Sequence, residues 1–216
     1  MIDLHVHSIF SDGELIPSEI IRRQEALGNS GVAITDHADF STIPLIMKHL
    51  RKMQDYRDDY NLNVLFGVEI THVQPEAIGK AVELALKEGA EIILVHGETI
   101  VEPVKEGTNI AAVQEEIDIL AHPGLIDEKT AELAKSNGVY VEITSRKGHC
   151  LTNGHIANMS KIYGFEVVIT SDAHSPSDFI NEDLARKILL GSGIDNPGKV
   201  IKNSAKIMRK KLKKLK

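Results

Sequence analysis

Seven short aliphatic runs, spaced along the chain and separated by helical patterns, constrain this sequence more than any other feature. They read "MIDLHVH", "GVAITDH", "NVLFGVE", "EIILVH", "IDILAH", "VYVEIT" and "EVVITSD". Most are continuous Val/Ile/Leu tracts rather than strict alternations, the pattern of parallel strands covered on both faces. Between them, "PSEIIRRQEALG" has proline near its start and glycine at its end, as helix boundaries prefer. "IPLIMKHLRKMQDYRDDY", "PEAIGKAVELALKEG", "DEKTAELAKSNG", "NGHIANMSKIYG" and "SDFINEDLARKILLG" repeat the theme, and a basic C-terminal helix is expected over about 198–216. Alternating strands and helices require right-handed crossovers and a parallel sheet, either open or closed into a barrel.

The ends of these runs narrow the choice. Six of the seven finish in histidine or acid: His5 and His7 (with Asp12 in the following loop), Asp36 and His37, Glu69, His96, His122, and Asp172 and His174. An open sheet uses only the loops at its switch point, whereas a closed barrel gathers every carboxyl end onto one site. The sequence therefore predicts an α/β fold: a distorted seven-stranded (βα) TIM-like barrel, with a metal site at the C-terminal ends of its strands. No low-complexity linker interrupts the 216 residues, enough for one sizeable core, so residues 1–216 are expected to form a single domain.

His5 and His7 lie two apart on a strand, so their side chains share a side and can grip one ion. The set is imidazole and carboxylate without thiolate, which suits Zn, Mn, Fe or Co in an open, reactive site. Each residue alone has an ordinary alternative: His96 as a hydrogen-bonded core edge, Glu69 as an ion-pair partner, Asp12 as a turn residue, Asp36 as a support for a neighbour. One metal cluster accounts for all of them together. Without it the barrel mouth would hold many unpaired polar groups, which is expensive.

Composition excludes some partners. The final eleven residues hold seven basic residues and no acid, so the formal net charge of −6 conceals −13 over residues 1–205. Such an acidic body disfavours nucleic acid as a partner, although the basic tail could touch anions; a solvated helix end is its simpler reading. No apolar stretch reaches membrane-spanning length and no signal-peptide order opens the chain, so no membrane partner is expected. A lone cysteine, Cys150, fits a reducing, cytoplasmic setting. Nothing in the sequence fixes an oligomeric state.

"HVHS…SDG", "TDH", "GVE", the isolated His96, "AHPG" and "SDAH" together resemble the polymerase-and-histidinol-phosphatase (PHP) superfamily, over residues 1 to about 175. The resemblance implies a distorted seven-stranded barrel holding two to three divalent ions, with all nine ligand positions filled. By position, His5, His7, Glu69 and Asp172 would hold one ion, and Glu69 would bridge to a second held by His96 and His122. Asp12, His37 and His174 would hold a third, with Asp12 standing where the family often has histidine. Stand-alone members of the histidinol-phosphatase branch have a similar length.

Clustered cations make water acidic enough to yield hydroxide near neutral pH and neutralise charge on a phosphate ester. The expected function is hydrolysis of a small phosphomonoester, histidinol phosphate foremost, with His5, His7, Glu69, Asp172 and His174 as the catalytic set. No covalent nucleophile is expected, since neither Ser171 nor Cys150 has an activating context. Arg146, Lys147 and His149 follow the sixth strand and are expected to meet the phosphate, arginine through two parallel bonds. Glu98, with Glu102, would offer an acidic wall to a substrate amine. His72 could line the rim, His155 belongs on the next helix, and His49 reads as helix surface. A nucleotide or nucleic-acid phosphodiesterase is the second reading, and a non-catalytic metal-binding scaffold the third.

Overall fold

The computed structural model describes residues 1–215. Its sheet has seven strands in sequence order, every neighbouring pair parallel: β1 (Ile2–Val6), β2 (Gly31–Ala38), β3 (Asn63–Ile70), β4 (Ile92–His96), β5 (Ile119–Ala121), β6 (Tyr140–Thr144) and β7 (Val167–Thr170). A bridge between Val6 and Ala173, with the His7 amide donating to the Ala173 carbonyl at 2.9 Å, brings the last strand back to the first. The ring is thus nearly closed, as the polar strand ends required. β5 is only three residues long, shorter than "IDILAH" suggested.

Helices α1 (Pro17–Ala26), α2 (Ile43–Gln54), α3 (Ile78–Lys87), α4 (Thr108–Ala112), α5 (Glu128–Asn137), α6 (Asn153–Tyr163) and α7 (Glu182–Gly191) make the crossovers, and α8 (Pro197–Lys214) ends the chain. The boundaries follow local chemistry. Asp127 caps α5 by accepting the Thr130 amide at 2.7 Å, and Gly138 ends it at φ 70°, a left-handed conformation that only glycine takes without strain. The short α4 left no periodic signal in the sequence. Among the described residues no helix is long and apolar enough to cross a membrane.

Two apolar clusters hold the layers together. The larger lies between strands and helices and includes Val32, Ile34, Phe66, Val68, Ile93 and Val95. The smaller fills the barrel from its amino end, with Leu4, Ala33, Leu65, Ile92, Leu94, Ile119 and Val168. Ile207 and Met208 of α8 join that inner cluster, so the C-terminal helix seals the barrel floor with one face and turns its cations outward. Lys211 Nζ reaches Asp118, just before β5, at 2.6 Å.

Above the apolar layer the inward positions become polar. On β2 the inner face runs Ala33, Thr35, His37, and on β3 it runs Leu65, Gly67, Glu69, by simple alternation. β1 departs from this. Its pairing with β2 advances by three residues from Asp3 to Val6 while β2 advances by two, a β-bulge. The extra residue lets Leu4 stay in the inner cluster while His5 and His7 also reach the interior above it.

Candidate metal centre

Every candidate ligand is delivered by a strand end or the loop just beyond it, where a rigid parallel ladder fixes the backbone. His5 and His7 Nε2 lie 3.0 Å apart. Around them, His5 Nε2 is 3.2 Å from Glu69 Oε2, His7 Nε2 is 3.2 Å from Asp172 Oδ1, and His122 Nε2 is 3.3 Å from Glu69 Oε1. Metal–nitrogen and metal–oxygen bonds of about 2.0–2.2 Å place neighbouring tetrahedral ligands about 3.4 Å apart. These separations are those of donors around ions. A further group unites His7, Asp12, His37 and His174, with His174 Nε2 3.2 Å from Asp12 Oδ1. Asp12 gets there because Gly13 presses against β1: a Cβ at that glycine would sit 2.3 Å from the His7 carbonyl oxygen.

The backbone is strained where it aims ligands. His122 and Asp172 have positive φ, 22° and 51°, which non-glycine residues adopt at a cost of about 1–3 kcal/mol. His122 turns inward onto Glu69 and Asp172 onto His7, with His122 Nε2 3.6 Å from Asp172 Oδ2.

Two buried carboxylates that the sequence did not single out fix the first ring of donors. Glu142, in the middle of β6, lies 2.7 Å from His5 Nδ1 and accepts the His122 amide at 2.7 Å. Burial opposes its charge, but His5 and then His122 pull its carboxyl down to about 2. It orients His5 so that Nε2 faces the centre. Its only signal was an acid flanked by aliphatics in "VYVEIT". Asp3 accepts the Ser171 amide and hydroxyl, pinning β7 to β1, and burial raises its carboxyl to about 6. Asp36 turns away from the centre and accepts the Ser8 amide and the Ser8 and Ser11 hydroxyls, the supporting role weighed for it.

Other placements both meet and depart from the sequence-based expectations. His96 is buried at the end of β4 with its ring 4.4 Å from that of His122, as the resemblance implies, and its Nε2 also lies 3.1 Å from Glu102 Oε2. His149, expected to meet substrate, is buried instead: it stacks on His122 at 4.2 Å and forms a possible ligand group with His122 and Asp172. Burial and the neighbouring His122 push its imidazole down to about 4. Glu98 is not an acidic wall. Its carboxylate accepts the Asn109 amide at 2.8 Å, and Asn109 in turn accepts the Glu98 amide, so the pair clamps the loop base. Arg146 is at the rim, paired to Asp178 at 3.2 Å, and Lys147 is exposed. His72 lies at the rim, His155 on α6 donates to the Ile126 carbonyl, and His49 stacks on Phe10.

The donor set fits divalent ions. Both oxygens of Glu69, Asp172 Oδ1, His7 Nδ1 and both ring nitrogens of His122 are buried without a hydrogen bond; the close imidazole contacts are misdirected for one. Burial works against ionising Glu69, yet His5 and His37 hold its carboxyl well below the usual range. Unpaired buried oxygens and nitrogens of this kind are costly unless a cation satisfies them.

A parallel barrel with convergent imidazoles and carboxylates at its carboxyl rim defines a metallohydrolase-type barrel. The PHP domain family profile matches residues 3–108, and a protein of Methanocaldococcus jannaschii, "Uncharacterized protein MJ1295", is 48% identical over 199 residues, 90% of each chain. This chain belongs to the PHP family, whose members are generally metal-dependent hydrolases and phosphoesterases. Among solved structures, a chain of an archaeal ribonuclease P with mature tRNA is similar in fold at TM-score 0.73 and 21% identity, covering 96% of this chain and 90% of that one. Histidinol phosphate phosphatase of Lactococcus lactis, solved with zinc, L-histidinol and phosphate, is similar at TM-score 0.61 and 16% identity, covering 89% and 93%.

Proposed function

We propose that the protein hydrolyses small phosphomonoesters, histidinol phosphate foremost, using two to three divalent ions held by His5, His7, Asp12, His37, Glu69, His122, Asp172 and His174, with His96 at the edge of the set. The observation that carries this reading is the cluster of buried, unbonded donors on Glu69, Asp172, His7 and His122 at ligand separations. Ions there supply Lewis acidity, making water nucleophilic near neutral pH and offsetting charge on phosphate oxygens.

The chain's own residues then bind and orient. Asp178 accepts from Arg146 and also from the His174 and Ser175 amides, which ties the guanidinium to the loop bearing His174. The remaining guanidinium N–H groups are free to clasp phosphate beside the ions, and exposed Lys147 adds positive charge at the rim. With Glu98 withdrawn and Glu102 already facing His96, His72 and His149, what supports histidinol phosphate is the similar fold of its phosphatase and the basic rim.

A second reading, cleavage of phosphodiesters in nucleotides or nucleic acid, draws on the basic face of α8 and on the ribonuclease P neighbour. That face lies at the amino ends of the strands, at the opposite end of the barrel from the donors, which favours the first reading. Turnover of a panel of phosphate mono- and diesters, with Zn, Mn or Fe restored after chelation, decides between them. Diester cleavage without monoester cleavage would sink the proposal, as would no turnover with any metal.

A further inference from the structure

α8 carries charge differently from the other surface helices. In α1 and α7 an acid stands four residues before an arginine and pairs with it, Glu19 with Arg23 at 2.7 Å and Glu182 with Arg186 at 2.5 Å. Over Pro197–Lys214 there are eight basic residues and no acid. Lys202–Lys206, Lys206–Lys210, Arg209–Lys213 and Lys210–Lys214 are like charges one turn apart, a spacing that weakens a helix. The macrodipole favours cations in the last turn only, which leaves Lys202 and Lys206 unexplained. We propose that this stripe docks the phosphodiester backbone of a nucleic-acid duplex, RNA or DNA, as a partner held at the opposite end of the barrel from the ions.

Geometry and packing narrow the partner. Lys202, Lys206, Arg209 and Lys213 follow at intervals of four, three and four residues and are all exposed, so they share one outward face about 16 Å long. Among the described residues the ion pairs of α8 use other cations, Lys199 with Glu166 at 3.0 Å and Lys211 with Asp118 at 2.6 Å. Lys206 Nζ meets the Asn203 side-chain oxygen at 3.0 Å, and Arg209 Nε the Ala205 carbonyl at 3.2 Å, so both keep an uncompensated charge. The opposite face is spent on the fold: Val200 and Ile207 are 4% and Met208 1% exposed, which leaves it no apolar surface to enter a bilayer. No aromatic side chain lies on α8 to stack an unpaired base, so contact runs through a duplex backbone and ignores sequence. A duplex carries one negative charge per about 1.7 Å of its axis, a denser counter-charge than scattered carboxylates on a protein surface supply. The −13 over residues 1–205 repels a polyanion from the other sides of the molecule and so orients the docking.

Fluorescence anisotropy of short labelled RNA and DNA duplexes, titrated with the full chain at two salt concentrations, tests the stripe. Four neutralised phosphates predict a roughly hundredfold fall in affinity for DNA between about 50 and 200 mM salt. A variant carrying Lys202→Gln, Lys206→Gln, Arg209→Gln and Lys213→Gln should lose most of that salt dependence and bind about tenfold or more weakly at the lower salt. Its melting temperature should not fall and its zinc per chain should match the parent, because the four side chains are exposed and lie away from the donors. Binding of either duplex supports the inference, and the tighter of the two names the source. Absence of binding by the parent to both duplexes at about 50 mM salt, or parent-like binding by the variant, would overturn it. Equal affinity for polyglutamate of matched charge would overturn it too, as would binding to phosphatidylserine vesicles in place of duplex. The readout is bound duplex, so it stands whatever ester the centre hydrolyses.

Discussion

His5 and His7 present their Nε2 atoms to each other at 3.0 Å, with Glu69 and Asp172 oxygens 3.2 Å from one or the other. Two imidazole nitrogens at that separation repel through their lone pairs unless a proton or a cation lies between them. The bulge in β1 makes the encounter possible, because it turns both rings inward above Leu4. The pairing is therefore a consequence of one inserted residue.

Glu142 should matter as much as a direct ligand's partner does. In Glu142→Gln an amide replaces the carboxylate that lies beside His5 Nδ1 and accepts the His122 amide. The expected result is a 10–100-fold loss of metal affinity or turnover, with the circular dichroism spectrum unchanged. Titration of zinc into the chelated variant measures it. Parent-like affinity would show that His5 needs no such anchor.

Met208 tests the seal at the barrel floor. It is 1% exposed and packs with Leu4, Leu65 and Ile207. Met208→Ala should cost about 3 kcal/mol and lower the melting temperature by roughly 6–12 °C for a chain of this size. Because the floor is remote from the rim, zinc content per folded chain should stay the same. A variant that melts with the parent would mean α8 contributes little to the inner cluster.

The cap on α5 gives a pH-dependent prediction. Hydrogen bonds donated by the Thr130 side chain and amide to the N-cap Asp127 hold its carboxyl below its ordinary value. A lowered folded pKa means the ionic part of the cap's stability is fully present above the unfolded value of about 4 and is lost as pH falls through the folded value. Asp127→Ala should cost about 1 kcal/mol at pH 7. The gap in denaturant midpoint between parent and variant should shrink as pH drops below about 5; a gap that widens in acid would contradict the cap.

Much of this was written locally. The aliphatic runs fixed strand order because buried parallel strands need unbroken apolar tracts, and the i, i+2 spacing of His5 and His7 survived even the bulge. The bulge itself has no local signature, since it arises from pairing with β2. Glu142 was hidden because one acid in "VYVEIT" looks like a strand-surface residue until its inward register is known. Glu98 and Glu102 are alike in sequence; Asn109, brought close by folding, takes one and leaves the other at the mouth. The burial of His149 has no local sign for the same reason: Thr99 and the His122 ring, both remote in sequence, draw it inside.

Closure of the ring sets an order of assembly. β1 meets β7 through Val6 and His7 against Ala173, and Asp3 against Ser171, so the first donors made on the ribosome wait for nearly the last. A nascent chain ending before about residue 170 lacks Asp172 and His174 and cannot surround an ion with the full set. An ion held by the full set would therefore report that the last strand has closed onto the first.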